Sequence, residues 1–225
     1  GAKLGFADVC AKTGNVTLSS IQAAVEKASF KVRVITIVHL GGRPCEDIEK
    51  ISSYANSIGA YLIEDACHAP IAKYSDASGK KFLVGQCSHS EAATFSFHAI
   101  KHITTGEGGA IFTNNKQLAE KSRLIRSHGI SRPNGKSKFQ TDVPQPWYYE
   151  AKLLGYNYRL SDINCALALN QISNLRKNLA RREAIARLYH KYLAEVESIT
   201  LPTLINPEVG RHAWHLFSPN FNFDQ

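Results

Sequence analysis

Strand-like and helix-like segments alternate along this chain, which predicts an α/β fold with a mainly parallel sheet and helices on both of its faces. Three observations carry that prediction. Short apolar runs rich in β-branched residues recur, stretches with helical spacing are interspersed among them, and residues able to do chemistry gather where the runs end. In open parallel sheets ligands collect outside the carboxyl ends of the strands, so those ends are where function is expected.

Val32 to Val38 is the first such run, nearly all apolar, of the kind buried on both faces of a sheet. Glu46 to Ser57 follows with helical spacing at Ile48, Ile51, Tyr54 and Ala55. Ala60-Tyr61-Leu62-Ile63 reads as a second strand ending at Glu64-Asp65, Ala92 to Phe97 as a third, and Gly109 to Thr113 as a fourth. Helices are expected over Lys116 to His128 and from Ser161 to about Ala194; the latter has a serine suited to N-capping and an acidic residue, Asp162, in its first turn. Between Ser131 and Trp147, Pro133, Asn134, Gly135, Pro144 and Pro146 mark a long polar loop, a candidate for contacting substrate or partner. Leu201-Pro202 ends the long helix, so residues 1–197 read as part of one large domain and 198–225 as the beginning of a smaller one.

The bulk numbers narrow the function. At 225 residues with 44% hydrophobic and 20% charged residues, the composition is that of an ordinary globular protein with one sizeable core. No apolar run approaches the roughly 20 residues needed to cross a bilayer, so no membrane partner is expected. The five cysteines (Cys10, Cys45, Cys67, Cys87, Cys165) are scattered and form no CxxC pair. That pattern argues against a disulfide framework or a metal site and for a reducing cytoplasm. The net charge of +8 raises nucleic acid as a partner. Its densest cluster, Arg176-Lys177 with Arg181-Arg182, lies on a helix without interleaved aromatics, and no nucleic-acid partner is expected. The chain has no methionine and opens on residues that read like a domain interior, so it is expected to be truncated at both ends.

Three elements then fit one chemistry. Glu64-Asp65-Ala66-Cys67-His68 puts a carboxylate at a strand end, where it could pair with a protonated ring nitrogen. Lys101 follows another strand and offers an amine able to attack a carbonyl. Ser96, with Gly106, Gly108 and Gly109, offers hydroxyl and backbone donors for a phosphate. An imine-forming lysine, an acidic partner for a pyridine nitrogen and a phosphate cradle are the services pyridoxal phosphate needs. Singly each has a plain structural reading: Asp65 a turn residue, His68 a hydrogen-bonder, the glycines turn formers. Gly-x-Gly-Gly without Gly-Lys-Ser/Thr is not a nucleotide P-loop.

Ile63-Glu64-Asp65-Ala66-Cys67-His68-Ala69, Ser96-Phe97-His98-Ala99-Ile100-Lys101 with Thr104-Thr105-Gly106-Glu107-Gly108-Gly109, and Gly155-Tyr156-Asn157-Tyr158-Arg159-Leu160-Ser161-Asp162-Ile163 resemble the DegT/StrS-type sugar aminotransferases from about residue 6 to 217. The branch serving pseudaminic acid biosynthesis is resembled most fully, through Asp65–Ala69, Ser96-Phe97-His98 and Pro146-Trp147-Tyr148-Tyr149-Glu150. The resemblance implies an aspartate-aminotransferase-like (fold type I) large domain and the cofactor pyridoxal 5'-phosphate. It implies Lys101 as the imine-forming lysine, Asp65 as partner of the pyridine nitrogen and His68 beside the cofactor's ring oxygen. Ser96 matches a phosphate ligand, and Asn157 the asparagine that reaches the phosphate of the neighbouring subunit, hence a homodimer with shared active sites. A lysine at 101, where dehydratase relatives carry histidine, favours amino transfer. The implied reaction takes an amino group from L-glutamate to C4 of a 4-keto-6-deoxy UDP-N-acetylhexosamine. A dTDP-linked keto sugar, or a cofactor-free regulatory paralogue, are the alternatives. The family's N-terminal Gly-Thr/Ser phosphate turn and its ring-stacking aromatic have no counterpart here, so the chain is expected to cover the middle of such an enzyme.

Overall fold

The computed structural model describes residues 1–131 and 147–223, so most of the polar loop singled out above lies outside the described residues. The chain runs through helix α1 (Leu18–Lys27), strand β1 (Val34–Val38), a 3-10 turn at Leu40–Gly42, α2 (Ile48–Ser57) and β2 (Tyr61–Asp65). A short antiparallel hairpin of β3 (Lys73–Ser75) and β4 (Lys81–Leu83) follows, then β5 (Ala92–Ser96), β6 (Gly109–Phe112) and α3 (Lys116–Arg126). Two-residue strands β7 (Ile130–Ser131) and β8 (Glu150–Ala151) pair with each other before α4 (Asp162–Leu193). Strands β9 (Ile199–Thr200) and β10 (Asn220–Phe221) form a last antiparallel pair.

The central sheet has the order β1-β2-β5-β6, parallel through its first three strands and antiparallel at β6. Register fixes which residues share a face. Val38 lies opposite Asp65 and Asp65 opposite Thr94, so Thr36, Val38, Asp65, Thr94 and Ser96 fall on one face. Ile35, Ile37, Leu62, Glu64 and Ala93 fall on the other, and all five are buried. Helix α2 presses Ile48, Ile51 and Ala55 into that second face, the spacing its sequence foretold, with α1 packed behind it. Burying a branched aliphatic side chain stabilises by roughly 1.5–3 kcal/mol, so these few residues hold the layer together.

The expectation of helices on both faces needs correcting for the described residues. β1 alternates exposed and buried, with Val34 and Val38 exposed, and Tyr61 and Ile111 on the same side are also exposed. An uninterrupted apolar run cannot distinguish a strand covered twice from one covered once, because both call for β-branched residues.

Local signals explain the helix ends. Thr17 caps α1 through a capping box with Ser20, a Thr-x-x-Ser signature that was not read from the sequence. Asn115 caps α3. That helix stops at Arg126, two residues short of the expected end, because His128 and Gly129 both take positive φ. Ser161 caps α4 as expected, and Leu175 and Leu179 of that helix join the core.

Candidate active site

The carboxyl ends of β2 and β5 carry the residues of interest. β2 ends at Asp65, and the chain turns at once: Ala66 donates its amide to the Thr94 carbonyl, and Cys67 donates its amide to Asp65 Oδ1 at 3.0 Å. This turn lifts His68 over the 3-10 turn, where its Nδ1 accepts the Gly41 amide at 3.3 Å. The proton of the neutral ring is therefore assigned to Nε2. Beyond β5 the chain forms a second turn, closed by Lys101 N–H donating to the His98 carbonyl and by Thr105 N–H donating to the Phe97 carbonyl. Asn164, in the first turn of α4, donates to the Thr105 carbonyl and anchors this loop from outside.

Electrostatics place these side chains in one neighbourhood. Burial lowers the His68 pKa and the Lys101 charge lowers it further, while Asp65 opposes both. The Cys67 thiol is pushed up to about 11 by burial and by Asp65, with Lys101 pulling the other way. Lys101 and Asp65 thus act on the same two neighbours. Ser96 lies on the Asp65 face two residues past Thr94, and its hydroxyl accepts the His98 amide at 3.3 Å.

The glycines read as phosphate donors have other duties. Gly106 has φ +81° and spends its amide on Thr104 Oγ1. Gly108 has φ +148°, and a Cβ there would lie 2.8 Å from Leu160 Cδ1 and 3.0 Å from Thr105 Oγ1. Gly109 pairs with Ser96 in the sheet, and a Cβ would meet the Phe95 carbonyl oxygen at 2.7 Å. These positions are glycine because the return from β5 to β6 is tight. Asn157 stands apart: its backbone bridges to Ser127 and it is exposed, while its sequence neighbours Tyr156 and Tyr158 stack their rings directly on each other at 4.7 Å.

A segment that sequence reasoning left out completes the site. Residues 213–216 are stapled onto the 3-10 turn, with Ala213 N–H donating to the Gly42 carbonyl and Leu216 N–H to the Gly41 carbonyl. The fit is close enough that a Cβ on Gly42, at φ +97°, would lie 2.8 Å from the His68 carbonyl oxygen and 2.9 Å from the Trp214 amide nitrogen. His215 stacks on His68 with ring centroids 4.3 Å apart, and His102 lies 5.2 Å from His215. Arg182 of α4 donates to the carbonyls of Trp214 and His215, holding the segment from the far side. Burial depresses both imidazoles, His102 to about 3, with the Arg182 and His215 charges adding to the effect, and His215 to about 4, with His68 and Lys101 adding. Both are neutral at pH 7. The only local hint was the run His212-Ala213-Trp214-His215, in which two histidines flank a tryptophan. Among the described residues no group of three or more His, Cys, Asp or Glu side chains could hold a metal ion.

Comparison with known proteins agrees with this geometry. The profile of the DegT/DnrJ/EryC1/StrS aminotransferase family matches residues 1–224. A UDP-4-amino-4,6-dideoxy-N-acetyl-beta-L-altrosamine transaminase of Campylobacter jejuni is 41% identical over 191 residues, 85% of this chain and 46% of that protein. The spore coat polysaccharide biosynthesis protein SpsC of Bacillus subtilis is 35% identical over 220 residues, 96% of this chain and 52% of its own length. Among solved structures, Helicobacter pylori PseC, an aminotransferase involved in pseudaminic acid biosynthesis, superimposes with a TM-score of 0.82 at 27% identity, over 97% of this chain and 52% of that one. The chain therefore spans about half the length of the relatives it matches. With an aminotransferase fold, three family motifs in order and a profile match that runs almost end to end, the chain belongs to the DegT/DnrJ/EryC1/StrS aminotransferase family.

Proposed function

We propose that the protein is a pyridoxal-phosphate-dependent aminotransferase of nucleotide-linked keto sugars. It takes an amino group from L-glutamate and places it on C4 of a UDP-linked 4-keto-6-deoxy-N-acetylhexosamine. The single observation that carries this reading is that Lys101, Asp65 and His68 share one electrostatic neighbourhood beyond the carboxyl ends of β2 and β5. The pseudaminic acid transaminases among its relatives support the sugar class.

The residues present fit the cofactor. Lys101 supplies an amine for covalent attachment, Asp65 a carboxylate for a pyridinium nitrogen, and Ser96 a hydroxyl for a phosphate. His68, fixed by Gly41 and uncharged, offers a flat imidazole beside them. When bound, pyridoxal phosphate supplies an electron-poor ring that delocalises the charge left when a proton is removed beside it. Lys101, once released from attachment, is the base that takes the proton from the donor's α-carbon. Asp65 keeps one carboxylate oxygen on the Cys67 amide, which holds it in place while the rest of the group stays available.

A homodimer belongs to the same reading. Leu154 is exposed three residues before Asn157, and Ile163 and Leu167 are exposed one turn apart on one face of α4, apolar surface for a second copy whose site Asn157 would enter. Residues 1–197 then belong to the cofactor-binding domain and 198–225 open the smaller one. A cytoplasmic location suits the free cysteines, among them Cys45 and Cys87 in the core. Among the described residues no helix is long and apolar enough to cross a membrane.

Borohydride reduction of the complete enzyme, followed by peptide mapping, is the test. The cofactor is expected on Lys101; label on another lysine, or on none, overturns the assignment. Amino transfer assayed on UDP- and dTDP-linked 4-keto sugars separates the substrate classes.

A further inference from the structure

A cavity of about 240 Å³ lies between the β3–β4 hairpin, α4 and the 204–212 segment, and none of Lys101, Asp65, Ser96 or His68 lines it. Four cationic side chains do: Lys73 and Lys81 from the hairpin, Arg187 from α4 and Arg211 from the loop, against the single carboxylate of Glu183. Like charges gathered in so small a space repel one another, yet several bonds keep them there. Lys73 and Arg211 exchange backbone hydrogen bonds at 3.0 and 2.8 Å, the Ser75 hydroxyl donates to the Val209 carbonyl at 2.6 Å, and Lys81 Nζ donates to the Pro207 carbonyl at 3.4 Å. A Cβ on Gly210 would lie 2.5 Å from the Lys73 carbonyl oxygen, so loop and hairpin are in close contact. Glu183 accepts from Arg187 at 3.0 Å and lies 3.6 Å from Arg211. That orients both guanidinium groups and still leaves the lining with an excess of three positive charges.

His212 adds a fixed donor. It lines the cavity at 7% exposure, and its Nδ1 accepts the Trp214 amide at 2.8 Å. Burial first, then the charge of Arg43, lowers its pKa to about 3, so the ring is neutral at pH 7 and its proton is assigned to Nε2. No acceptor among the described residues takes that N–H. An unspent donor in a wall of cations calls for an anion. We propose that this cavity binds a small anion carrying a phosphate group, free or as a monoester, with Lys73, Arg187 and Arg211 around its oxygens and His212 Nε2–H donating to one of them. Size sets the class: pockets for drug-sized ligands run to about 300–1,000 Å³, so this one suits an anion smaller than a nucleotide. His212 directly precedes the 213–216 segment and stacks on Trp214 with ring centroids 3.9 Å apart, so the occupant abuts the segment that covers His68.

The test is calorimetric titration of the complete enzyme, saturated with pyridoxal phosphate so that the cofactor's own phosphate seat is filled. The probes are orthophosphate, pyrophosphate and glycerol 3-phosphate. At least one is expected to bind, and Lys73→Glu and Arg187→Ala, both at exposed positions, are each expected to weaken it by roughly tenfold or more. Arg181→Ala, an exposed arginine of α4 outside this cavity, is the control and is expected to leave the affinity unchanged. Glycerol 3-phosphate binding more tightly than orthophosphate makes the occupant an ester, the reverse order makes it free phosphate, and either upholds the site. The proposal is overturned if none of the three probes binds, if Lys73→Glu and Arg187→Ala both leave the affinity unchanged, or if Arg181→Ala is the change that removes binding. Because none of Lys101, Asp65, Ser96 or His68 lines this cavity, each of these results is independent of amino transfer.

Discussion

Glu64 and Asp65 are neighbours on β2 and point to opposite faces of the sheet, and their surroundings differ as much as their faces do. Glu64 is fully buried. It accepts from His39 Nε2 at 3.0 Å, from the Gly85 amide at 3.0 Å and from the Ser90 hydroxyl. His39 is fixed in turn, because its Nδ1 accepts the Cys45 amide at 2.9 Å, which leaves the other nitrogen as donor. Asp65 is half-buried and, among the described residues, takes one side-chain hydrogen bond, from the Cys67 amide. A carboxylate whose oxygens are all occupied stabilises a fold. One with spare acceptor capacity beside a lysine is placed for work.

Substitutions can break that contrast. The largest effect is expected at Lys101, the amine on the Asp65 side. Lys101→Ala should lower amino transfer by roughly 10,000-fold and abolish borohydride-stable attachment. The denaturation midpoint should hardly move, and a large fall in it would make Lys101 a structural residue instead. Glu64→Ala and Asp65→Asn should then diverge. The first leaves His39 and the Gly85 amide unsatisfied in the core and should cost about 3–5 kcal/mol in urea unfolding. The second keeps an acceptor for Cys67 and should cost under about 1 kcal/mol, while lowering the rate by about 100–1,000-fold. Equal stability losses from the two would erase the distinction drawn here.

Gly42→Ala tests how tightly the two sides are joined. The new methyl would meet three backbone atoms of His68, Trp214 and His215 at φ +97°, and about 1–3 kcal/mol of destabilisation is expected. A neutral result would show that the 213–216 staple has slack.

The smallest change is a slope against pH. His102, His212 and His215 all have folded pKa values depressed below the ordinary 6.5, to about 3, 3 and 4, by burial first. The unfolded chain therefore binds more protons between those values and 6.5, so stability is full above pH 6.5 and falls as pH drops through that window. Burial raises the Glu64 pKa, but His39, Ser90 and Gly85 outweigh it and hold the group below 4.5, so its contribution is lost later, as pH falls further. Unfolding midpoints measured from pH 7 to pH 4 should decline steadily, and His102→Asn should flatten the decline. A midpoint that rises on acidification would contradict the assignment of neutral imidazoles.

The contrast also explains what could be read in advance. Asp65 and Lys101 stand at ends of strands whose β-branched runs are local signals, and Ser161 announces α4 by a cap visible in four residues. Glu64 was noticed only as the residue before Asp65. Nothing nearby says that His39, from another strand end, will meet it. His215 and Arg182 were missed for the same reason: their roles arise from contacts between distant parts of the chain, which leave no periodicity to read. The glycines of 106–109 erred the other way, since a tight hairpin return and a phosphate loop draw on the same residue.

The stacking of His215 on His68 has a temporal side. Asp65 and Lys101 lie in the first half of the chain and can reach one another once β2 and β5 pair. The cover on His68 comes from residues 213–216, far from it in sequence, and a long loop must close before it contributes anything. Assembly should therefore pass through a state with the sheet formed and His68 uncovered. Capacity to retain a ligand should therefore appear only as residues 213–216 dock on the 3-10 turn.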